Sequence, residues 1–90
     1  MTEEIRTLTL KNKLGLHARA AASFVKIAQQ FKSNIQIEHK GQTVDGESIL
    51  DILTLACPYG EMLTIRAEGS DAHRAIEALE KLIENKFGED

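Results

Sequence analysis

The chain has 90 residues, a formal net charge of −3, one cysteine and no tryptophan. That size makes one domain, burying somewhat more than about 60% of the unfolded chain's surface and leaving no room for a deep substrate cavity. The charges are interspersed, which excludes a basic face for nucleic acid or an anionic membrane, and no apolar run approaches the roughly 18 residues that span a bilayer.

Met1-Thr2-Glu3-Glu4 is acidic and lacks the apolar stretch of a signal peptide. Cys57 stands alone and forms no intrachain disulfide, which fits a reducing cytoplasm. Residues 4–11 read as a strand, with Leu8 and Leu10 on one face and Thr7 and Thr9 on the other. A helix is predicted over 17–32, where Ala20, Phe24, Ile27, Ala28 and Phe31 share one side. Ile35 and Ile37 alternate with Gln36 and Glu38 in a second strand, and Lys40-Gly41 turns it into a short third around Gln42 to Asp45. A short helix is predicted from Ser48 to Ala56, capped by the Ser48 hydroxyl and ended by Pro58-Tyr59-Gly60. Leu63 and Ile65 mark a fourth strand. Ser70-Asp71 caps a last helix, striped by Ala72, Ala75, Ile76, Leu79, Leu82 and Ile83, with Glu77 and Lys81 able to pair on its wet side. The tail from Lys86 to Asp90 is expected to fray.

The order is β-α-β-β-α-β-α. Strands apolar on one face only imply a sheet covered on one side. The expected fold is therefore α+β: a two-layer open-faced sandwich, a four-stranded antiparallel sheet with three helices on one face.

Chemistry concentrates at Leu14-Gly15-Leu16-His17-Ala18-Arg19. Gly15 permits a tight bend, and His17 then stands at the mouth of the first helix. A helix N-terminus presents unpaired N–H groups and partial positive charge, which suit an anion. A phosphoryl group on the His17 ring would meet the backbone of Ala18 and Arg19 and the planar fork of the Arg19 guanidinium. An imidazole is largely neutral and nucleophilic near neutral pH, so it can take up such a group and pass it on.

Gly15-Leu16-His17-Ala18-Arg19 resembles the phosphorylation-site signature of HPr, the histidine-containing phosphocarrier family of the bacterial sugar phosphotransferase system. Gly41-Gln42-Thr43-Val44, followed by Ser48-Ile49-Leu50, resembles the family's second landmark, and the likeness runs from about residue 5 to 84. The resemblance implies a carrier that accepts a phosphoryl group on Nδ1 of His17 from phosphorylated enzyme I and passes it to IIA domains of sugar permeases. It implies no cofactor, no metal and no turnover of its own. Arg19 matches the family's active-site arginine, and Ser48 the serine that a dedicated HPr kinase phosphorylates in some bacteria. Two positions depart from the family pattern. Ala20 stands where Pro is usual, at a first-turn position that tolerates replacement. Glu47 precedes Ser48, and an acidic neighbour repels an incoming phosphate.

The short helix is apolar nearly all round. Burying Ile49, Ile52, Leu55 and Ala56 against the sheet would expose Leu50 and Leu53, which with Leu16 are the candidate docking residues for enzyme I and IIA. His39 and His73 lack ligand-spaced partners and are expected to face solvent, and Cys57 to be a packed thiol. A monomer suits a shuttle that must release its partners quickly. Two alternatives stay open: an HPr-like regulatory module of a nitrogen-related phosphotransferase branch, and a small-molecule-binding split β-α-β domain in which His17 only caps a helix.

Overall fold

The structure, a computed structural model, describes residues 2–89. Four strands, β1 (Glu3–Thr9), β2 (Asn34–His39), β3 (Gln42–Asp45) and β4 (Met62–Glu68), form one sheet in the order β1-β4-β2-β3. Every neighbouring pair is antiparallel. Because β4 lies between β1 and β2, those two run parallel and are joined over the sheet by α1 (Ala18–Ala28). In the same way α2 (Ile49–Thr54) joins β3 to β4, and α3 (Ala72–Glu84) follows β4. The register sets Leu8 beside Leu63, Ile37 beside Ile65 and Ile35 beside Ala67 on the helix-covered face. These side chains meet Phe24 of α1, Ile52 of α2 and Ile76, Leu79 and Ile83 of α3 in one core. On the open face the hydroxyls of Thr7 and Thr64 lie 2.9 Å apart across the β1–β4 pair. The expected α+β sandwich, its element order and its one-sided helices are what the structure contains.

Local chemistry explains the correct boundaries. Lys40 and Gly41 both adopt positive φ, 50° and 83°, as a two-residue type I′ hairpin turn requires. Ser48 caps α2, its Oγ accepting the Asp51 amide at 3.2 Å.

Several expectations need correction. Strand β1 ends at Thr9 rather than residue 11, because Leu10 turns its backbone to the loop before β4, with 3.0 Å bonds to Glu61 O and from the Gly60 amide. Helix α1 stops at Ala28 rather than 32. The amides of Lys32 and Ser33 are instead bound by the Asp71 carboxylate at 2.8 and 3.0 Å, and the Ser33 hydroxyl adds a 2.5 Å bond. Asp71 therefore sits at the N-cap of α3 without capping it with its side chain, and these bonds, the Ser33 hydroxyl foremost, lower its pKa. On α2 the buried residues are Ile52 and Leu55, while Ile49 is 39% exposed and Ala56 is exposed at φ 48°. Leu53, expected outside, is half-buried against the core. Helix α2 closes at Thr54, two residues before the expected end, which leaves Ala56 outside it. Glu77 lies 3.5 Å from His73 one turn back rather than pairing with Lys81.

His39 is buried, not solvent-facing. Its Nδ1 lies 3.1 Å from Leu55 O and its Nε2 2.8 Å from Glu61 Oε1, so the ring ties the end of α2 to the loop before β4. Its hydrogen bond is the leading reason that the Glu61 pKa is lowered. His73 is exposed as expected, beside Glu4, which raises its pKa.

The tail does not fray over Lys86–Glu89; Asp90 lies outside the described residues. A 3-10 turn, Lys86–Gly88, seats the Phe87 side chain in the core. Lys86 and Phe87 adopt left-handed φ values of 57° and 56°, a strain of about 1–3 kcal/mol each. Burial of an aromatic side chain, about 1.5–3 kcal/mol, offsets much of it. The apolar stripe of α3 thus continues past the helix end.

Candidate functional site

Three segments converge on His17. The first is its own loop. Asn12 is fully buried and its Nδ2 donates to Gly15 O at 2.6 Å, while the Gly15 amide returns a 3.0 Å bond to Asn12 O. Gly15 adopts φ 67°, and a Cβ there would lie 2.7 Å from Cys57 O. The Leu16 amide then donates to that same Cys57 carbonyl at 3.0 Å. This second segment, the loop after α2, therefore fixes how the chain enters α1. Cys57 itself is a packed thiol as expected, its pKa pushed up to about 11, chiefly by burial.

His17 occupies the N-cap position of α1 in an extended conformation, but its side chain makes no capping bond. Its carbonyl accepts the first helical bond, from Ala21 at 2.8 Å. The amides of Ala18 and Arg19 precede that bond and have no intrahelical acceptor. The first turn carries no acidic side chain, so the positive end of the helix is not neutralised from within it. The Arg19 side chain is exposed one residue beyond Ala18.

The third segment is the tail, which sequence reasoning missed. The Glu89 carboxylate hydrogen-bonds His17 Nε2 through Oε2 and accepts from Asn12 Nδ2 at 3.2 Å through Oε1. The His17 bond is the leading cause of a lowered Glu89 pKa, with Asn12 and the Arg19 charge adding to it. One signal was available: Phe87 lies four residues after Ile83 and extends the apolar stripe of α3, and Gly88 follows it as a turn residue. Asn12, flanked by two lysines, carried no such signal.

With Nε2 engaged, Nδ1 is the ring nitrogen that has no hydrogen-bond partner among the described residues. A ring nitrogen at a helix start, two residues before an exposed arginine, is suited to carrying an anionic group, and phosphoryl above all. Residues 5–85 match the family model described as the PTS HPr component phosphorylation site. The chain belongs to the PTS HPr family. Among its relatives, the phosphocarrier protein HPr of Xylella fastidiosa is 45% identical over 83 residues, covering 92% of this chain and 93% of that one. The phosphocarrier protein NPr of Shewanella violacea is 37% identical over 89 residues, covering 99% and 98%. The crystal structure of HPr-C-His from Thermoanaerobacter tengcongensis superposes with a TM-score of 0.93 at 45% identity, covering 97% of this chain and 98% of that one.

Within this HPr fold the candidate docking residues separate. Leu50 is 77% exposed, as expected, on α2, which packs against α1. Leu16 is only 4% exposed, because its backbone bond to Cys57 turns the side chain into the core; it is no surface anchor. Leu53 is half-buried, and beside Leu50 on α2 Ile49 is exposed, as is Leu14 in the loop before His17, at 71%. Ser48 is half-buried, with its hydroxyl engaged at the start of α2.

No helix among the described residues is long and apolar enough to cross a membrane. The depression over Gln36, Thr43, Thr64 and Arg66 on the open sheet face measures about 50 Å³, and two more open hollows, one along α3 at Glu77, Lys81 and Asn85 and one beside His39, Gly60 and Met62, measure about 370 and 340 Å³.

Proposed function

We propose that this HPr-family chain, one domain over residues 1–90, is a phosphoryl carrier. His17 accepts the group on Nδ1 from phosphorylated enzyme I and passes it to IIA domains of sugar permeases. The observation that carries this reading is the His17 side chain itself: it stands at the helix N-terminus, is not used as a cap, and keeps Nδ1 free. That weighs against a domain in which His17 merely caps a helix. Transfer is stoichiometric, so the protein is a covalent intermediate in others' catalysis and works in the cytoplasm as a monomer, without cofactor. The test is incubation with phosphoenolpyruvate and enzyme I followed by intact mass: one added phosphoryl group supports the proposal, and an unchanged mass with active enzyme I refutes it.

The likeness to an NPr over nearly the whole chain supports a second reading, a module of a nitrogen-related branch with the same His17 chemistry and different partners. Transfer assays against IIA domains of both branches separate the two. Ser48 is proposed as a regulatory phosphosite for an HPr serine kinase. Phosphorylation there would replace the Asp51-capping hydroxyl with an anion at the start of α2, between Glu47 and Asp51.

Arg19 is assigned to hold phosphoryl oxygens. Arg19→Lys keeps the charge and loses the planar fork, so transfer is expected to slow by about tenfold or more with the fold intact. Wild-type rates in a stopped-flow assay would make the guanidinium incidental.

Leu50 is assigned to partner docking. An anchor so exposed contributes little to folding, whereas a core leucine costs about 2–5 kcal/mol on truncation. Leu50→Ala is expected to raise the apparent KM for enzyme I and to leave the melting temperature within about 4 °C. Leu53→Ala, being half-buried, should lower both affinity and stability. A large loss of stability in Leu50→Ala at unchanged KM would remove it from the docking surface.

A further inference from the structure

We infer that Glu89 is a positioning residue that holds His17 in the tautomer whose Nδ1 is nucleophilic; the inference rests on the carrier function proposed above. The carboxylate is itself fixed at both oxygens, one on His17 Nε2 and the other on buried Asn12 Nδ2. Phe87, seated in the core, and Gly88, at φ 78°, deliver it over the start of α1. An ionised carboxylate can only accept hydrogen bonds, so the proton between the two groups lies on Nε2. The lone pair is then on Nδ1. A ring held the other way round would offer Nε2, the nitrogen that faces Glu89, and repulsion would exclude an anionic phosphoryl group there.

The same contact serves the transfer step. The Nδ1 lone pair attacks phosphorus, the Nδ1–P bond forms, and the donor's bond to phosphorus breaks with its electron pair staying on the donor. The Nε2 proton does not move. The His17 ring, now substituted at both nitrogens, carries formal positive charge that it lacked before. Glu89 lies beside that developing charge, as the buried aspartate of a serine-protease triad lies beside its imidazolium. The charged groups facing this unit are Glu89 from the tail and Arg19 from α1, with neutral Asn12 from the entry loop. Because the Glu89 pKa is lowered, the carboxylate stays charged across the neutral range.

Nitrogen-15 NMR of the His17 ring in the unphosphorylated protein tests this directly. The wild type is expected to hold the Nε2–H form well beyond the preference of a free imidazole. In Glu89→Gln, which keeps the size and removes the charge, the tautomer ratio is expected to fall by about tenfold, the effect of a charge-assisted hydrogen bond. Phosphoryl transfer from enzyme I is expected to slow by a similar factor at unchanged apparent KM. Glu89→Asp, which keeps a carboxylate beyond the Gly88 turn, should restore the wild-type ratio. A wild-type ratio in Glu89→Gln overturns the inference, as does a wild-type ring no more biased than free imidazole. Since the spectra need no phosphoryl group, this result is independent of whether His17 proves to be a carrier.

Discussion

His17→Ala is expected to abolish phosphoryl uptake completely while leaving the protein folded. A carrier that acts stoichiometrically has no residual route: once the imidazole is gone, nothing else at the start of α1 combines a nucleophilic nitrogen with helix-terminal amides. Ser48, the other candidate for phosphorylation, is a hydroxyl in a different helix and a substrate only for a kinase. The fold should tolerate the change because the His17 side chain makes no cap bond and its backbone bonds survive substitution. The loss of its Glu89 contact falls at the tail, away from the core, so the melting temperature should stay within about 4 °C. The measurement is intact mass after incubation with phosphoenolpyruvate and enzyme I, before and after brief acid treatment. In the wild type the added group should be lost in acid and kept in base, as an N–P bond requires. Undiminished labelling of His17→Ala would move the acceptor elsewhere.

Phe24→Ala is expected to do the opposite, destabilising the fold without touching the site. Phe24 is fully buried where α1 meets the sheet, and it is the largest of the fully buried side chains. Truncating a buried aromatic costs about 3–5 kcal/mol, because the cavity closes only in part. A 90-residue domain has about 5–13 kcal/mol in total, so the variant should lose from about a quarter to all of its stability. Its melting temperature should fall by about 15 °C or more. Urea unfolding followed by circular dichroism checks this. A cost below about 2 kcal/mol would mean that α1 does not seat on the sheet as described.

The contrast between these two variants reflects what could be read in one dimension. Phe24 belongs to the core because of period, since it lies four residues after Ala20 and four before Ala28, and all three are buried. His17 and Arg19 stand out for a similar reason: a helix start is a local event, and a nucleophile placed there is visible as such. The Ser48 cap and the Lys40-Gly41 turn are equally local, each closed within three residues, and both occur as expected.

The mistaken readings share a different origin. Asp71 looked like a cap because caps are local, but its carboxylate bonds Ser33, 38 positions earlier. His39 looked solvent-facing because no partner lay at ligand spacing, yet Glu61 reaches it from 22 positions on. Ile49 and Leu53 differ because helical period says which residues share a face, not how far that face is covered, and Leu16 because its backbone bond to Cys57 turns it inward. Glu89 went unseen because its partner is 72 positions away and only the burial of Phe87 brings the tail back. Alone, then, the sequence determined the element order, the one-sided sheet and the imidazole at the start of α1, since these rest on short-range periodicity and capping. Tertiary structure decided which ring nitrogen of His17 is free, which leucines face outward and where the carboxylates of Asp71 and Glu89 find donors. Those outcomes depend on hydrogen bonds and packing between segments far apart in the chain, and no local pattern encodes them.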